Sequence, residues 1–120
     1  GWWSRGLGDV YKRQIKTSSG AVFNVPICKV SHIKDAIFLL KQHDIKIFGA
    51  SEKADKNIFE TKFGKSQAIV MGSEGKGLSS SVIKLCDQLI RIPLHGKIES
   101  LNVSVACGTI LYEMIRQKKY

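Results

Sequence analysis

The sequence is poor in proline, cysteine and acidic residues, and it contains no long apolar run. Its 120 residues include 2 prolines, 3 cysteines and 10 Asp or Glu against 19 Lys or Arg. No apolar stretch approaches the roughly 20 residues of a membrane-spanning helix, and the sequence shows no charged start followed by an apolar signal core and a cleavage site, so we predict a cytoplasmic protein with no membrane partner. Cys28, Cys86 and Cys107 lie far apart and form no C-x-x-C pair, which predicts neither a disulfide framework nor a metal site.

The composition predicts a single globular domain with a polyanionic partner. Apolar residues make up 43% and charged residues 24% of the chain, which excludes a disordered tail. The formal charge of +9 favours RNA or another polyanion, because Lys and Arg set against phosphates release condensed counterions. Charge alone does not decide the question, since many basic proteins bind nothing.

Residues 1–14 read differently from the rest of the chain. They contain two adjacent tryptophans, Trp2 and Trp3, and show neither a helical nor a strand period. We interpret this arm as an artefact of cloning or sequence assembly that lies outside the fold. The alternative is a native arm whose tryptophans stack on a base or pack against a partner.

From Ile15 onward, strand patterns alternate with helical ones. Strands are predicted at 26–30, 45–48, 67–71 and 89–92, and helices at 33–44, 78–86 and 101–117. Ser31 is the predicted N-cap of the first helix, and one short helical turn is predicted around Ile58 and Phe59. This alternation predicts an α/β fold with a mostly parallel sheet and helices on both of its faces.

Three glycine-bearing loops follow the predicted strands. They are 49–51, 72–77 and 94–100. Ligands bind outside the carboxyl ends of the strands in such sheets, so these loops form a candidate pocket. Gly77 is followed by Leu78, which breaks the phosphate-binding motif G-x-x-x-x-G-K-[ST], and the glycines can equally be explained as tight turns.

Several ordered motifs resemble the SpoU (TrmH-type) RNA 2′-O-ribose methyltransferases. They are KTSSGA at 16–21, NVP at 24–26, IVMGSEGKGL at 69–78, CD at 86–87, IP at 92–93 and SLNVSVA at 100–106. The resemblance covers residues 15–120 and looks closest to the bacterial enzymes that methylate a guanosine ribose of 23S ribosomal RNA. It implies a deep C-terminal trefoil knot, which periodicity alone would never suggest.

The same resemblance implies an S-adenosylmethionine site and a set of catalytic residues. The expected cofactor-binding residues are Gly49, Ala50, Gly72, Ile92, Leu94 and Leu101. The expected catalytic residues are Glu74, Ser100 and Asn102, which would align the ribose hydroxyl with the cofactor. Ordinary structural roles compete with these assignments: Ile92 and Leu101 suit a core, and Ser or Asn commonly caps a helix.

One departure from the family pattern bears on activity. The family's first motif, an asparagine-glycine stretch ending in an arginine, has no counterpart among the residues before Lys16. The chain therefore looks like an N-terminally truncated fragment of the methyltransferase domain, and we expect it to methylate RNA poorly. The resemblance also implies a homodimer formed through the last helix, with Ile110, Tyr112 and Met114 as its apolar contacts. A non-catalytic RNA-binding or ribosome-assembly module and a tRNA methyltransferase remain the alternatives.

Overall fold

The computed structural model describes residues 31–73, 76–95 and 102–119. The strand predicted at 26–30 and the arm at 1–14 lie outside these residues. The chain divides into two compact units, the first ending at Ile45 and the second beginning at Lys46.

The described part of the first unit is dominated by helix α1, Ile33–Gln42. Ala36 and Ile37, adjacent on its apolar face, are buried. The N-cap residue is His32, which makes no side-chain cap hydrogen bond. The prediction of Ser31 as the cap is therefore wrong by one residue.

The second unit contains a three-stranded parallel sheet. Its strands are β1 (Lys46–Ala50), β2 (Gln67–Val70) and β3 (Gln88–Ile90), in the order β2-β1-β3. Phe48 of the central strand pairs with Ile69 on one side and Gln88 on the other. Consecutive residues Ile47 and Phe48 are both fully buried, as expected of a parallel strand covered on both faces. The predicted parallel α/β class is confirmed.

Two helices complete the described part of this unit. Helix α2, Ser80–Leu85, is capped by Ser79, whose Oγ accepts from the Val82 amide at 3.3 Å. Helix α3, Val103–Lys119, lies two residues later than predicted because Asn102 provides the cap. The predicted strand at 89–92 is shorter than expected, because Arg91 pairs with Asn57 in an isolated bridge.

The core of the second unit joins the sheet, the β1–β2 connection and α3. Phe48, Ile58, Ile90 and Ile110 are fully buried against one another. Partly buried side chains pack around this cluster: Ala50, Phe63, Ile69, Met71, Ile92 and Met114. Because Ile58 belongs to the core, the long polar connection between β1 and β2 is anchored at its middle.

Candidate functional site

The carboxyl ends of the three strands lie at one edge of the sheet. Gly49 pairs with Val70 of β2 and with Leu89 of β3. The Ser51 amide donates to the Ile90 carbonyl at 2.9 Å, so the end of β1 is fixed to the end of β3. The three predicted loops therefore leave from the same edge, where ligands bind in parallel sheets.

Gly49 is needed for packing at this edge. A Cβ there would lie 2.8 Å from the Cys86 Sγ and 2.9 Å from a methyl carbon of Leu78 and of Leu89. Those three side chains fill the space in front of its Cα. The absence of a side chain at Gly49 thus lets residues around α2 pack directly on the central strand.

The loop after β2 folds back on itself, so that the backbones of Gly72 and Gly77 lie close together; we call this close approach the neck of the loop. The Gly77 amide donates to the Ser73 carbonyl at 3.0 Å, and Gly77 adopts a φ of 67°. At Gly72, a Cβ would come within 2.3 Å of the Gly77 carbonyl carbon. Gly72 is therefore required for the close approach, and Gly77 for the left-handed backbone that closes it. Glu74 lies outside the described residues.

The chain after β3 runs past the core into the third loop. The side chain of Ile92 packs against the core cluster, and both Ile92 and Leu94 are half-buried. No hydrogen bond joins the backbone of Ile92 or Leu94 to another described residue. Ile92 and Leu94 thus combine apolar side chains with backbone donors and acceptors that form no hydrogen bond with other described residues.

Asn102 caps helix α3. Its Oδ1 accepts from the Ser104 amide at 2.8 Å and from the Val105 amide at 3.4 Å. Asn102 therefore has the helix-capping role that the sequence analysis set beside a role in the site. The side-chain oxygen is thus engaged by the start of α3, and the NH₂ group is the hydrogen-bond donor end of this amide.

The structure brings together five of the nine predicted site residues. Gly49, Ala50, Gly72, Ile92 and Leu94 all lie at or just beyond the three adjoining strand ends. Ser100 and Leu101 lie outside the described residues, as Glu74 does. The backbone groups and apolar side chains of Gly72, Ile92 and Leu94 fit an adenosine-type cofactor, which such sites recognise with few charges.

The segment that fixes the third loop was not anticipated from the sequence. Arg91 donates from its amide to the Lys56 carbonyl at 3.0 Å and accepts from the Ile58 amide at 2.9 Å. These residues are more than 30 positions apart in the sequence, and the polar stretch that contains them carries no strand pattern. The one sequence signal in this stretch is Asn57, because asparagine is typical of turns.

The titratable groups of the described residues give no sign of metal or thiol chemistry. Within ranges 31–73, 76–95 and 102–119, no cluster of three or more His, Cys, Asp or Glu side chains could hold a metal ion. Burial raises the pKa of the Cys107 thiol, which keeps it protonated at neutral pH. Over the same ranges, no helix is both long and apolar enough to cross a membrane.

An apolar groove runs along α3, away from the strand ends. We call it the α3 groove; its volume is about 480 Å³, and Ile58, Phe59, Val105, Gly108, Thr109, Tyr112 and Glu113 line it. Phe59 is 63% exposed, Val105 54% and Tyr112 68%. Ile110 is fully buried, so it cannot make the apolar contact predicted for it. Met114 is partly buried against the core, and Tyr112 is exposed.

Comparison with known proteins identifies the family of the chain. The model of the SpoU rRNA Methylase family matches residues 4–112, a range that begins inside the arm set apart above. The chain is 41% identical to a 23S rRNA (guanosine-2′-O-)-methyltransferase of Yersinia pestis and 38% identical to its Escherichia coli counterpart, over 103 residues each. These matches cover 86% of this chain but only 42% of either relative.

Solved structures give the same result. The TrmH/SpoU tRNA modifying enzyme of A. aeolicus superposes with a TM-score of 0.69 at 34% identity, covering 83% of this chain and 51% of that one. The SpoU methyltransferase AviRb of Streptomyces viridochromogenes, crystallised with S-adenosylmethionine, superposes with a TM-score of 0.63 at 30% identity, covering 78% and 36%.

Proposed function

Because the chain belongs to the SpoU rRNA methylase family, we propose that its strand-end loops bind S-adenosylmethionine in an RNA 2′-O-methyltransferase. The observation that carries the proposal is the position of Gly72, Ile92 and Leu94 at or just beyond one sheet edge, where Ile92 and Leu94 have apolar side chains and backbone groups that no other described residue bonds. When bound, the cofactor supplies an electrophilic methyl group. The chain's own residues contribute binding, orientation and exclusion of water.

We propose that the substrate is a guanosine ribose of 23S ribosomal RNA, with the cytoplasm as the place of action. Support comes from the 41% identity to the Yersinia pestis enzyme of that name. The formal charge of +9 suits an RNA partner. A tRNA substrate is the second candidate, favoured by the 34% identity to the tRNA modifying enzyme of A. aeolicus.

Within this site, Asn102 is proposed to orient the ribose hydroxyl. Its oxygen is held by the amides of α3, which fixes the orientation of the side-chain amide, and the NH₂ group is proposed to donate to an oxygen of the substrate or cofactor. A donor held by two hydrogen bonds is preorganised, and positioning of this kind contributes to catalysis because the reacting atoms must be held close together. Glu74 and Ser100 remain proposed catalytic residues, and Leu101 a proposed cofactor contact, on the strength of the motifs alone.

The trefoil knot and the homodimer are proposed as well. The long helix α3 after the third loop suits the knotted family fold. For the dimer, the support is the α3 groove, where Phe59, Val105 and Tyr112 leave more than half of each side chain exposed. Adjoining apolar side chains of this size mark an interaction surface.

Calorimetry with S-adenosylmethionine, followed by transfer of a labelled methyl group to RNA, tests the function. We expect wild type to bind S-adenosylmethionine and not GTP, which serves as the control ligand. We expect transfer by this chain to be weak; transfer to 23S rRNA rather than to tRNA transcripts would support the first substrate, and the reverse would favour the second. Binding of RNA without any affinity for the cofactor would instead support a non-catalytic RNA-binding module and overturn the proposal.

A further inference from the structure

One side chain of helix α3 holds three backbone groups of the connection between β1 and β2. The Gln117 Nε2 donates to the Thr61 carbonyl at 2.8 Å and to the Ile58 carbonyl at 3.5 Å. Its Oε1 accepts from the Phe63 amide at 3.1 Å. The segment concerned, which we call the 56–63 segment, lies more than 50 residues before Gln117 in the sequence.

A buried carboxylate fixes the orientation of that amide. The Gln117 Nε2 also donates to the Glu113 Oε2 at 2.7 Å. Glu113 is 5% exposed and receives two further hydrogen bonds from the Arg116 guanidinium, at 2.7 and 2.8 Å. Because an ionised carboxylate only accepts, Gln117 must turn its NH₂ toward Glu113 and its oxygen toward Phe63.

The other side of the 56–63 segment is bonded to the end of β3. The Ile58 amide donates to the Arg91 carbonyl and the Arg91 amide to the Lys56 carbonyl. Thr61, itself buried, reinforces the segment by donating from Oγ1 to the Asn57 carbonyl at 2.8 Å. Gln117 and Arg91 thus both form hydrogen bonds with the same short segment.

We propose that Gln117, oriented by Glu113, is a positioning residue for the loop wall formed by residues 92–94. Arg91, the first residue after β3, is bonded through both its amide and its carbonyl, and Ile92 follows it directly. A shift of the 56–63 segment would therefore move Arg91 and, with it, the start of residues 92–94. The inference deepens the proposed function, because that wall is assigned to the cofactor, and it rests on that function for its effect on binding.

Amide hydrogen exchange in a Gln117→Met variant tests the positioning itself. Methionine keeps the length and approximate volume of the side chain but removes every hydrogen bond that Gln117 makes. We expect exchange at the Ile58 and Arg91 amides to rise about tenfold, while the β1–β2 ladder amides stay as in wild type, because only local opening is affected. Lys118→Ala, an exposed change next to Gln117, is the control and should alter neither set.

Calorimetry on the same proteins tests the consequence for the site. The affinity for S-adenosylmethionine should fall about tenfold in Gln117→Met and stay unchanged in Lys118→Ala, the fall corresponding to about 1.4 kcal/mol. If wild type binds no cofactor, the proposed function fails, and the exchange data still decide whether Gln117 positions Arg91. Uniformly faster exchange, or changes that stop at Phe63, would overturn the positioning role.

Glu113→Gln provides a second variant in case Gln117→Met does not fold. It preserves the size of the side chain but removes the charge that fixes the Gln117 amide. We expect a smaller rise in exchange at the same two amides. No rise there, in a folded variant, would equally contradict the inference.

Discussion

The backbones of Gly72 and Gly77 approach so closely that a Cβ on Gly72 would lie 2.3 Å from the Gly77 carbonyl carbon. Gly72→Ala therefore has to open the neck of the loop after β2. We expect a loss of about 1–3 kcal/mol in the free energy of unfolding, since the clash is with backbone. We also expect at least about tenfold weaker binding of S-adenosylmethionine by calorimetry.

Gly77→Asn is the matched control for that experiment. Nothing lies within 4 Å of a Cβ at Gly77, so the only cost is the left-handed backbone, which asparagine tolerates better than most residues. A stability loss of about 1 kcal/mol or less is expected. If Gly72→Ala proved as mild as Gly77→Asn, the neck would not be the reason for glycine at position 72.

Gly49→Ala is expected to destabilise the sheet by overpacking. The new methyl group would lie within 3 Å of side-chain atoms from Leu78, Cys86 and Leu89. Crowding of this kind typically costs about 1–3 kcal/mol, to be measured by urea unfolding. Gly64→Ala should change stability by less than about 1 kcal/mol, because its nearest atom would be 3.8 Å away. Equal effects of the two changes would refute the packing role of Gly49.

The parallel sheet and its helices could be predicted from the sequence, but the contacts that hold the third loop could not. Consecutive apolar residues such as Ile47 and Phe48 indicate a buried strand, because burial on both faces favours apolar residues at successive positions. The pairing of Arg91 with Lys56 and Ile58 leaves no such pattern, since backbone groups make it. The cap at Asn102 lies between these cases: the residue type indicated it, but the same residue type also suits a site.

Asn102→Ser is expected to separate helix capping from ligand contact. Serine caps a helix about as well as asparagine, so thermal unfolding should be nearly unchanged. It lacks the NH₂ group, so methyl transfer and cofactor affinity should fall if that group contacts the ligands. Asn102→Ala removes both functions and should in addition cost about 1 kcal/mol of stability. Wild-type affinity and transfer in Asn102→Ser would leave Asn102 with capping as its whole role.

Acid should weaken the contact between α3 and the 56–63 segment through Glu113. The Arg116 guanidinium, by hydrogen bonds and charge, and the Gln117 amide hold the pKa of Glu113 below its ordinary value of 4.5, against the opposing effect of burial. A lowered pKa stabilises the fold above the unfolded-state value and loses that contribution as the pH falls through the folded-state value. The free energy of unfolding, measured with urea, should therefore fall below about pH 4.5, and it should fall less steeply in Glu113→Gln. Glu52→Gln, an exposed change, should keep the wild-type slope.

The α3 groove should control self-association if a second copy covers it. Tyr112, 68% exposed, lines the groove beside Val105 and Phe59. Tyr112→Asp would bring an unpaired charge into an apolar contact, where desolvation is costly, so sedimentation should show monomers at concentrations where wild type is dimeric. Phe38→Ser on α1 removes a comparably exposed aromatic ring, 53% exposed, and should leave association unchanged. A monomeric wild type, or a dimer that tolerates Tyr112→Asp, would show that the groove does not mediate pairing of two copies.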